Sequence, residues 1–303
     1  MVERTPFMDF VAYAVLIVGV ITMLAPLYLI FTTATVTSEH IYTEGLALVP
    51  GTHFLENINE VFERTELARQ MFNSFIVAVI VVIGKMFLAS ITAFAIVFFN
   101  SPYKGAIFWF VLITLMLPLE VRIVPTYEIA ANALLPFQQI LEWTGMAHIV
   151  NSLFGIEINL DWNLLDTYTG LTLPLIATAT GTFLFRQFYQ TVPPELVEAA
   201  RMDGAGPIRF FFDILLPLSK TNFAALGTLV FIGAWNSYLW PLLITTDEKM
   251  RTAVVGVASL NATAFDQLPE WNISMAAALI VLLPPVLVIA LMQRWFIKGL
   301  MGH

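Results

Sequence analysis

Few side chains in this 303-residue chain have the type and spacing to do chemistry. There is no cysteine, which removes disulfides, thiolate zinc, iron–sulfur clusters and thiol catalysis. His40, His53, His148 and His303 are scattered, and no H-E-x-x-H occurs. A phosphate-cradling loop needs G-x-x-x-x-G-K-[ST]. The one Gly-Lys pair, Gly84-Lys85, has Val79 where the first glycine belongs and Met86 after the lysine. Two sets remain. Lys85, Glu120 and Arg122 are charges set in apolar stretches, where a cation needs a carbonyl, water, a neighbouring subunit or a passing anion. Glu198-Ala199-Ala200, with Asp203-Gly204 after it, lies in a polar segment that can present a short helix.

The elements that must position these residues are membrane helices. The chain is 58% apolar and only 12% charged, with a mean hydropathy of +0.81. Soluble domains carry about twice that charge. The net charge of −8 argues against nucleic acid as a partner. A crossing helix needs about 20 mostly apolar residues. Six stretches qualify, at about 10–33, 71–98, 105–127, 168–185, 221–246 and 273–296. The first exceeds the apolar core of a cleaved signal peptide, so it reads as a retained helix. The expectation is an all-α, six-span membrane protein forming a single transmembrane domain over 1–303.

Six spans put both termini on one side, and basic residues choose that side. The termini, the 99–104 turn and the 186–220 loop carry eight: Arg4, Lys104, Arg186, Arg201, Arg209, Lys220, Arg294 and Lys298. The opposite segments, 34–70, 128–167 and 247–272, carry four, Arg64, Arg69, Lys249 and Arg251, against fifteen acids. The termini and the 186–220 loop are therefore expected in the cytoplasm, and the acidity of the chain faces outward. Lys85 does not prevent insertion. A central lysine costs about 2.5–3.5 kcal/mol, and each Leu, Ile, Val or Phe returns about 0.3–0.6. Residues 71–98 hold sixteen of those four types. Lys85 lies about 20 Å from the outer end of its helix, so no simple pairing with Glu120 is expected. Glu120 and Arg122, two apart and bracketed by Pro118 and Pro125, should point in nearly opposite directions.

In the 186–220 loop, Thr191 is the expected N-cap, with Pro193 and Glu195 suited to a first turn. A short helix through Leu196–Met202 meets Asp203-Gly204-Ala205-Gly206-Pro207, a strong break. A second helical stretch, from Ile208 to Leu216, leads to Pro217 and the fifth span. Small residues here allow close backbone approach, and Leu196, Met202 and Phe210 to Phe212 offer apolar anchors. The unit suits a groove on another protein, or an interfacial position on the inner leaflet.

Glu198-Ala199-Ala200, then Gly204, Ile214 and Leu216-Pro217, resembles the EAA loop of ABC-importer permeases. The likeness extends over nearly the whole chain to permeases of carbohydrate-type importers, and within them to the branch that imports sn-glycerol-3-phosphate. It is carried by Val49–Asn57, Thr114–Arg122, Gly170–Leu175, Phe183–Phe188 and Trp235–Leu243. The resemblance implies the type I importer permease architecture. Glu198, Ala199, Ala200, Asp203, Gly204, Ile214, Leu216 and Pro217 would then couple the chain to an ATPase. The implied partners are a second permease, two ATPase subunits carrying ATP and Mg, and an outer substrate-binding protein. The chain itself would hold no cofactor, metal or catalytic site, and its address would be a bacterial cytoplasmic membrane. Lys85 and Arg122 become candidates for the translocation pathway of an anionic glycerol-3-phosphate or glycerophosphodiester. Between Leu134 and Leu164 the outer loop is longer than this family leads one to expect. A related sugar or oligosaccharide importer is the alternative. An ion-coupled secondary transporter fits less well, because no repeat is found and the one acid within a span lies near its mouth.

Overall fold

The computed structural model describes residues 6–116, 119–177, 179–260 and 268–301. Among them all regular structure is helical: α1 (Pro6–Thr33), α2 (Ser38–Glu44), α3 (Phe54–Arg64), α4 (Leu67–Phe98), α5 (Lys104–Met116), α6 (Leu119–Ala131), α7 (Leu135–Trp143), α8 (Met146–Phe154), α9 (Tyr168–Ile176) and α10 (Ala179–Tyr189). There follow α11 (Pro194–Met202), α12 (Pro207–Phe210), α13 (Leu216–Leu218), α14 (Lys220–Trp235), α15 (Leu239–Ile244), α16 (Ala253–Ser259) and α17 (Trp271–Met301).

Three helices, α1, α4 and α17, are long and apolar enough to cross a membrane alone, and two bent pairs bring the number to as many as five. The expected third span corresponds to α5, through Met116, and α6, from Leu119; Pro118 lies outside the described residues. The expected fourth is broken between α9 and α10, which meet at 44°. The expected fifth ends at Trp235, and its remainder re-forms as α15 with Pro241 in the first turn, where no N–H is needed. Prolines cause part of this. Pro174 cannot donate to the Gly170 carbonyl one turn back, and that carbonyl accepts from Trp240 Nε1 at 3.2 Å instead. The long 128–167 segment folds as α7 and α8, separated by Gly145 at φ +72° and ended by Gly155 at φ +63°.

The chain divides into two compact units. The first comprises residues 1–69 and 255–283. In it α1 is apolar all round and its residues 7–28 are unburied, so its cover must be lipid or another chain. The chain after α1 is locked by Asn57, whose Nδ2 donates to the Ala34 and Val36 carbonyls at 2.8 and 2.9 Å. Its Oδ1 accepts from Asn272 at 2.9 Å. Gly51 is required beside this lock, since a Cβ there would fall 2.5 Å from the Thr35 carbonyl oxygen. The 49–57 stretch is thus a structural clasp.

The second unit, residues 70–254 and 284–303, holds the candidate site residues. One cluster joins Val77 and Val81 of α4 to Leu171, Trp240 and Ile244. A second joins Met86, Ala89, Ala93 and Phe94 of α4 to Phe185, Tyr189, Ala200, Phe210, Phe211, Leu215 and Leu226. Helices approach closely where side chains are small: a Cβ on Gly181 would stand 2.8 Å from that of Ala89. Asp166, at φ +53°, ties the 164–167 turn to the end of α15. Its carboxylate accepts from the Thr246 and Asp247 backbone N–H groups at 2.7 and 2.9 Å and from the Thr246 hydroxyl at 2.5 Å.

Burial raises the Asp166 carboxyl pKa, but the bonds from the Thr246 hydroxyl and the two amides outweigh it and hold the group below its ordinary value. A depressed carboxylate stabilises the fold above its unfolded pKa and loses that contribution as pH falls through the folded one. Asn tolerates the left-handed backbone, so Asp166→Asn removes the titration without new strain. Between about pH 5 and about pH 3 the wild type should lose thermal stability more steeply than Asp166→Asn. Parallel acid profiles in detergent would dismiss the clamp.

Candidate functional site

The loop that follows α10 is built around three local devices. Thr191 does not cap α11: its hydroxyl donates back to the Phe188 carbonyl at 2.7 Å, and Pro193 holds the N-cap position without a side-chain bond. Pro194 then opens the helix, where a missing N–H is harmless, and Glu195 lies in the first turn, favourable for the dipole. At the other end Gly204 adopts φ +75°. Its N–H donates to Arg201 O at 3.1 Å and the Ala205 N–H to Ala200 O at 2.9 Å, the paired bonds of a Schellman cap.

The second helical stretch is not continuous. Residues Phe211–Leu215 form a π turn between α12 and α13, with the Leu216 N–H bonded to Phe211 O. Pro217 explains the widening, because it has no N–H and its ring crowds the Asp213 carbonyl. The Pro207–Leu218 segment then meets α14 at 74°, with the buried Ser219 at the corner donating to Leu215 O at 2.5 Å.

The resulting elbow has two faces. Ala200, Phe210, Phe211 and Leu215 are buried, and Ile214 packs on the same cluster. Phe94 of α4 lies 5.2 Å from Phe211, Phe98 lies 5.3 Å from Phe210 and 6.0 Å from Tyr189, and Phe185 lies 4.5 Å from Phe223. Such pairs contribute about 0.5–1.5 kcal/mol each beyond their buried area. Glu198, Ala199, Met202, Asp203, Gly204 and Pro217 are exposed, and Leu216 is half-buried. The eight sequence-expected coupling residues therefore fall on one elbow, with Ala200 turned inward as packing. The aromatic anchors Phe94 and Phe98 are invisible to a reading of the loop alone, since they lie at the end of a separate span.

Among the described residues the two span cations line different cavities. Lys85 lines one of about 270 Å³ with Thr180, Gly181, Leu226 and Ser237. Arg122, on α6, lines one of about 400 Å³ with Thr126, Pro174 and Trp240. Leu175 belongs to both walls, and the two charges repel each other. Lys85 makes no ion pair among the described residues. The Glu120 side chain lies outside the described residues, so its direction relative to Arg122 does too. Thr180 and Ser237 were not singled out by sequence; each lies at a helix break, which is a usable signal. His40 and His53 make local contacts with Glu44 and Glu56, and no cluster of three potential metal ligands occurs among the described residues.

Apolar membrane-length helices together with a glycine-capped elbow define a helical membrane protein. Residues 85–302 match the binding-protein-dependent transport system inner membrane component family, and the chain belongs to it. It is 44% identical over 306 residues to the sn-glycerol-3-phosphate transport system permease protein UgpE of Yersinia pestis bv. Antiqua, covering 99% of this chain and 98% of that protein. The protein of that name from Rhizobium meliloti (strain 1021) is 44% identical over 307 residues, with the same coverage. Among solved structures, a bacterial ABC transporter involved in import of the acidic polysaccharide alginate matches with a TM-score of 0.74 at 17% identity, over 98% of this chain and 99% of that one. A bacterial alginate ABC transporter in complex with its alginate pentasaccharide-bound periplasmic protein gives 0.65 at 13% identity, over 94% and 93%. At those identities the likeness is one of fold.

A Cβ on Gly204 would meet no atom within 4 Å, so any effect of substitution there acts through the backbone. With the coupling role that the loop's resemblance implies, Gly204→Val should uncouple ATP hydrolysis from transport or weaken ATPase association, while Gly204→Asn, which tolerates positive φ, keeps most function. Equal behaviour of the two variants in a reconstituted ATPase assay would rule out the cap as a requirement.

Proposed function

We propose that this chain is one of two permease subunits of an ATP-driven, binding-protein-dependent importer for sn-glycerol-3-phosphate or a glycerophosphodiester. The observation that carries the reading is identity of 44% across 99% of the chain with permeases of that name. The proposed topology has six spans: α1, α4, α5 with α6, α9 with α10, α14 with α15, and α17. Both termini and the α11–α13 elbow face the cytoplasm, in keeping with the excess of Lys and Arg in those segments. The elbow, through Glu198, Ala199, Ala200, Asp203, Gly204, Ile214, Leu216 and Pro217, meets one of two ATPase subunits, which hold ATP and Mg; this chain holds neither. The acidic outer segments, including α7 and α8, meet the substrate-binding protein. A second reading is a permease of a related sugar or oligosaccharide importer.

ATP closes the ATPase pair, the elbow moves with it, and the permease pair opens outward. Because the elbow is packed on α4, α10 and α14, its displacement is passed on as motion of those helices. Lys85 and Arg122 border the route of the substrate. Two like charges in adjoining cavities favour an anion between them, since Lys85 has no ion-pair partner among the described residues.

In reconstituted importer, Lys85→Met and Arg122→Gln should each reduce glycerol-3-phosphate uptake by about tenfold or more, a loss of about 1.4 kcal/mol. ATPase stimulation by the loaded binding protein should persist. Unchanged uptake in both variants removes these residues from the route and leaves the importer assignment intact.

A further inference from the structure

A cavity of about 570 Å³ opens among the end of α4, the start of α5, the end of α10 and one face of α11. Its charged lining is unbalanced: Lys104, Arg186 and Arg201 face it against the single acid Glu198. None of these four forms an ion pair among the described residues. Arg186 is the most constrained. Its guanidinium lies 3.9 Å from the centroid of the Phe108 ring, and Nη1 donates to Gln190 Oε1 at 3.3 Å. Its Nε is buried with no hydrogen-bond partner among the described residues. A buried donor on a charged group without an acceptor is unfavourable, and an anion entering the cavity supplies that acceptor. Ile96, Val97, Phe98 and Phe108 supply an apolar part of the wall, beside Tyr189 and Gln190.

The neighbourhood fixes the depth of the cavity. Tyr103, just before α5, and Trp109 within its second turn are both exposed, and Phe110 and Ile113 beyond them are exposed and apolar. Tyr and Trp favour the boundary between headgroups and hydrocarbon, so α5 enters the acyl region as it leaves the cavity. Cationic donors beside an apolar wall at headgroup level match an amphiphile with a phosphate at one end.

We propose that this cavity is a phosphate-binding site occupied by the headgroup of an anionic phospholipid, with Arg186 and Lys104 holding the phosphate. It lies against α11, so its occupant braces the base of the elbow. The proposal rests on the reading of the 186–220 loop as cytoplasmic only for naming the inner leaflet as the source, and binding itself can be measured without transport.

The test uses the assembled importer in nanodiscs of phosphatidylglycerol and phosphatidylcholine, with retained lipid counted by native mass spectrometry. Lys104 is exposed, so Lys104→Gln leaves packing untouched, and Arg186→Lys keeps charge while removing the fork. Wild type should retain phosphatidylglycerol over phosphatidylcholine, and Lys104→Gln should weaken retention about fivefold. A second arm titrates inorganic phosphate into lipid-depleted complex by phosphorus NMR. Binding there, absent in Lys104→Gln with Arg186→Lys, supports the phosphate site with a soluble source. Retention of neither probe, or equal retention by wild type and the double variant, overturns the proposal.

Discussion

Everything the elbow can do depends on its aromatic attachment to the membrane helices. Phe94 sits against Phe211, and Phe98 against both Phe210 and Tyr189, so the end of α4 is wedged between the elbow and α10. Packed cores shift between discrete arrangements and do not deform smoothly. In the proposed coupling role, a push on the exposed face of α11 would be delivered to α4, α10 and α14 as displacement. The cap at Gly204 and the corner at Ser219 would keep the elbow short and stiff for this. With flexible loops in their place, the same contacts would absorb the motion.

Low polarity within the membrane explains the rest of the architecture. Breaks at membrane depth are tolerated only where freed backbone groups find other partners. The Gly170 carbonyl, released by Pro174, is taken by Trp240, and this exchange ties α9 to α15. The same region requires glycine at 170, where a Cβ would fall 2.1 Å from the Leu164 carbonyl oxygen. Lys85 stands apart, because its charge has no counter-ion among the described residues and another cation nearby.

What the sequence made legible followed from hydropathy and spacing. The helical class, the long apolar α1, α4 and α17, and the break at Asp203-Gly204 all follow from local composition. The family was legible in the loop spacing and is established by the match over residues 85–302. Less legible were features set by distant partners. Hydropathy counts an apolar stretch as one span, so it joined α14 to α15 and α9 to α10. Thr191 looked like a cap because Thr commonly caps, yet its hydroxyl donates back to Phe188 O and Pro193 takes the N-cap position. Asn57 and Asp166 were unremarked polar residues until folding brought them to backbone groups distant in sequence. The π turn, by contrast, had a local signal in Pro217 four residues after Asp213.

A single thiol tests the elbow directly, because the natural chain contains no cysteine. Met202 is 83% exposed at the tip of α11. In an importer whose other subunits lack reactive cysteine, Met202→Cys would be paired with single cysteines along the ATPase cleft and oxidised. Formation of a disulfide to the ATPase that arrests uptake, and release of that arrest by reductant, is the expected result. Full transport with no cross-link anywhere along the cleft would contradict a coupling role for the elbow.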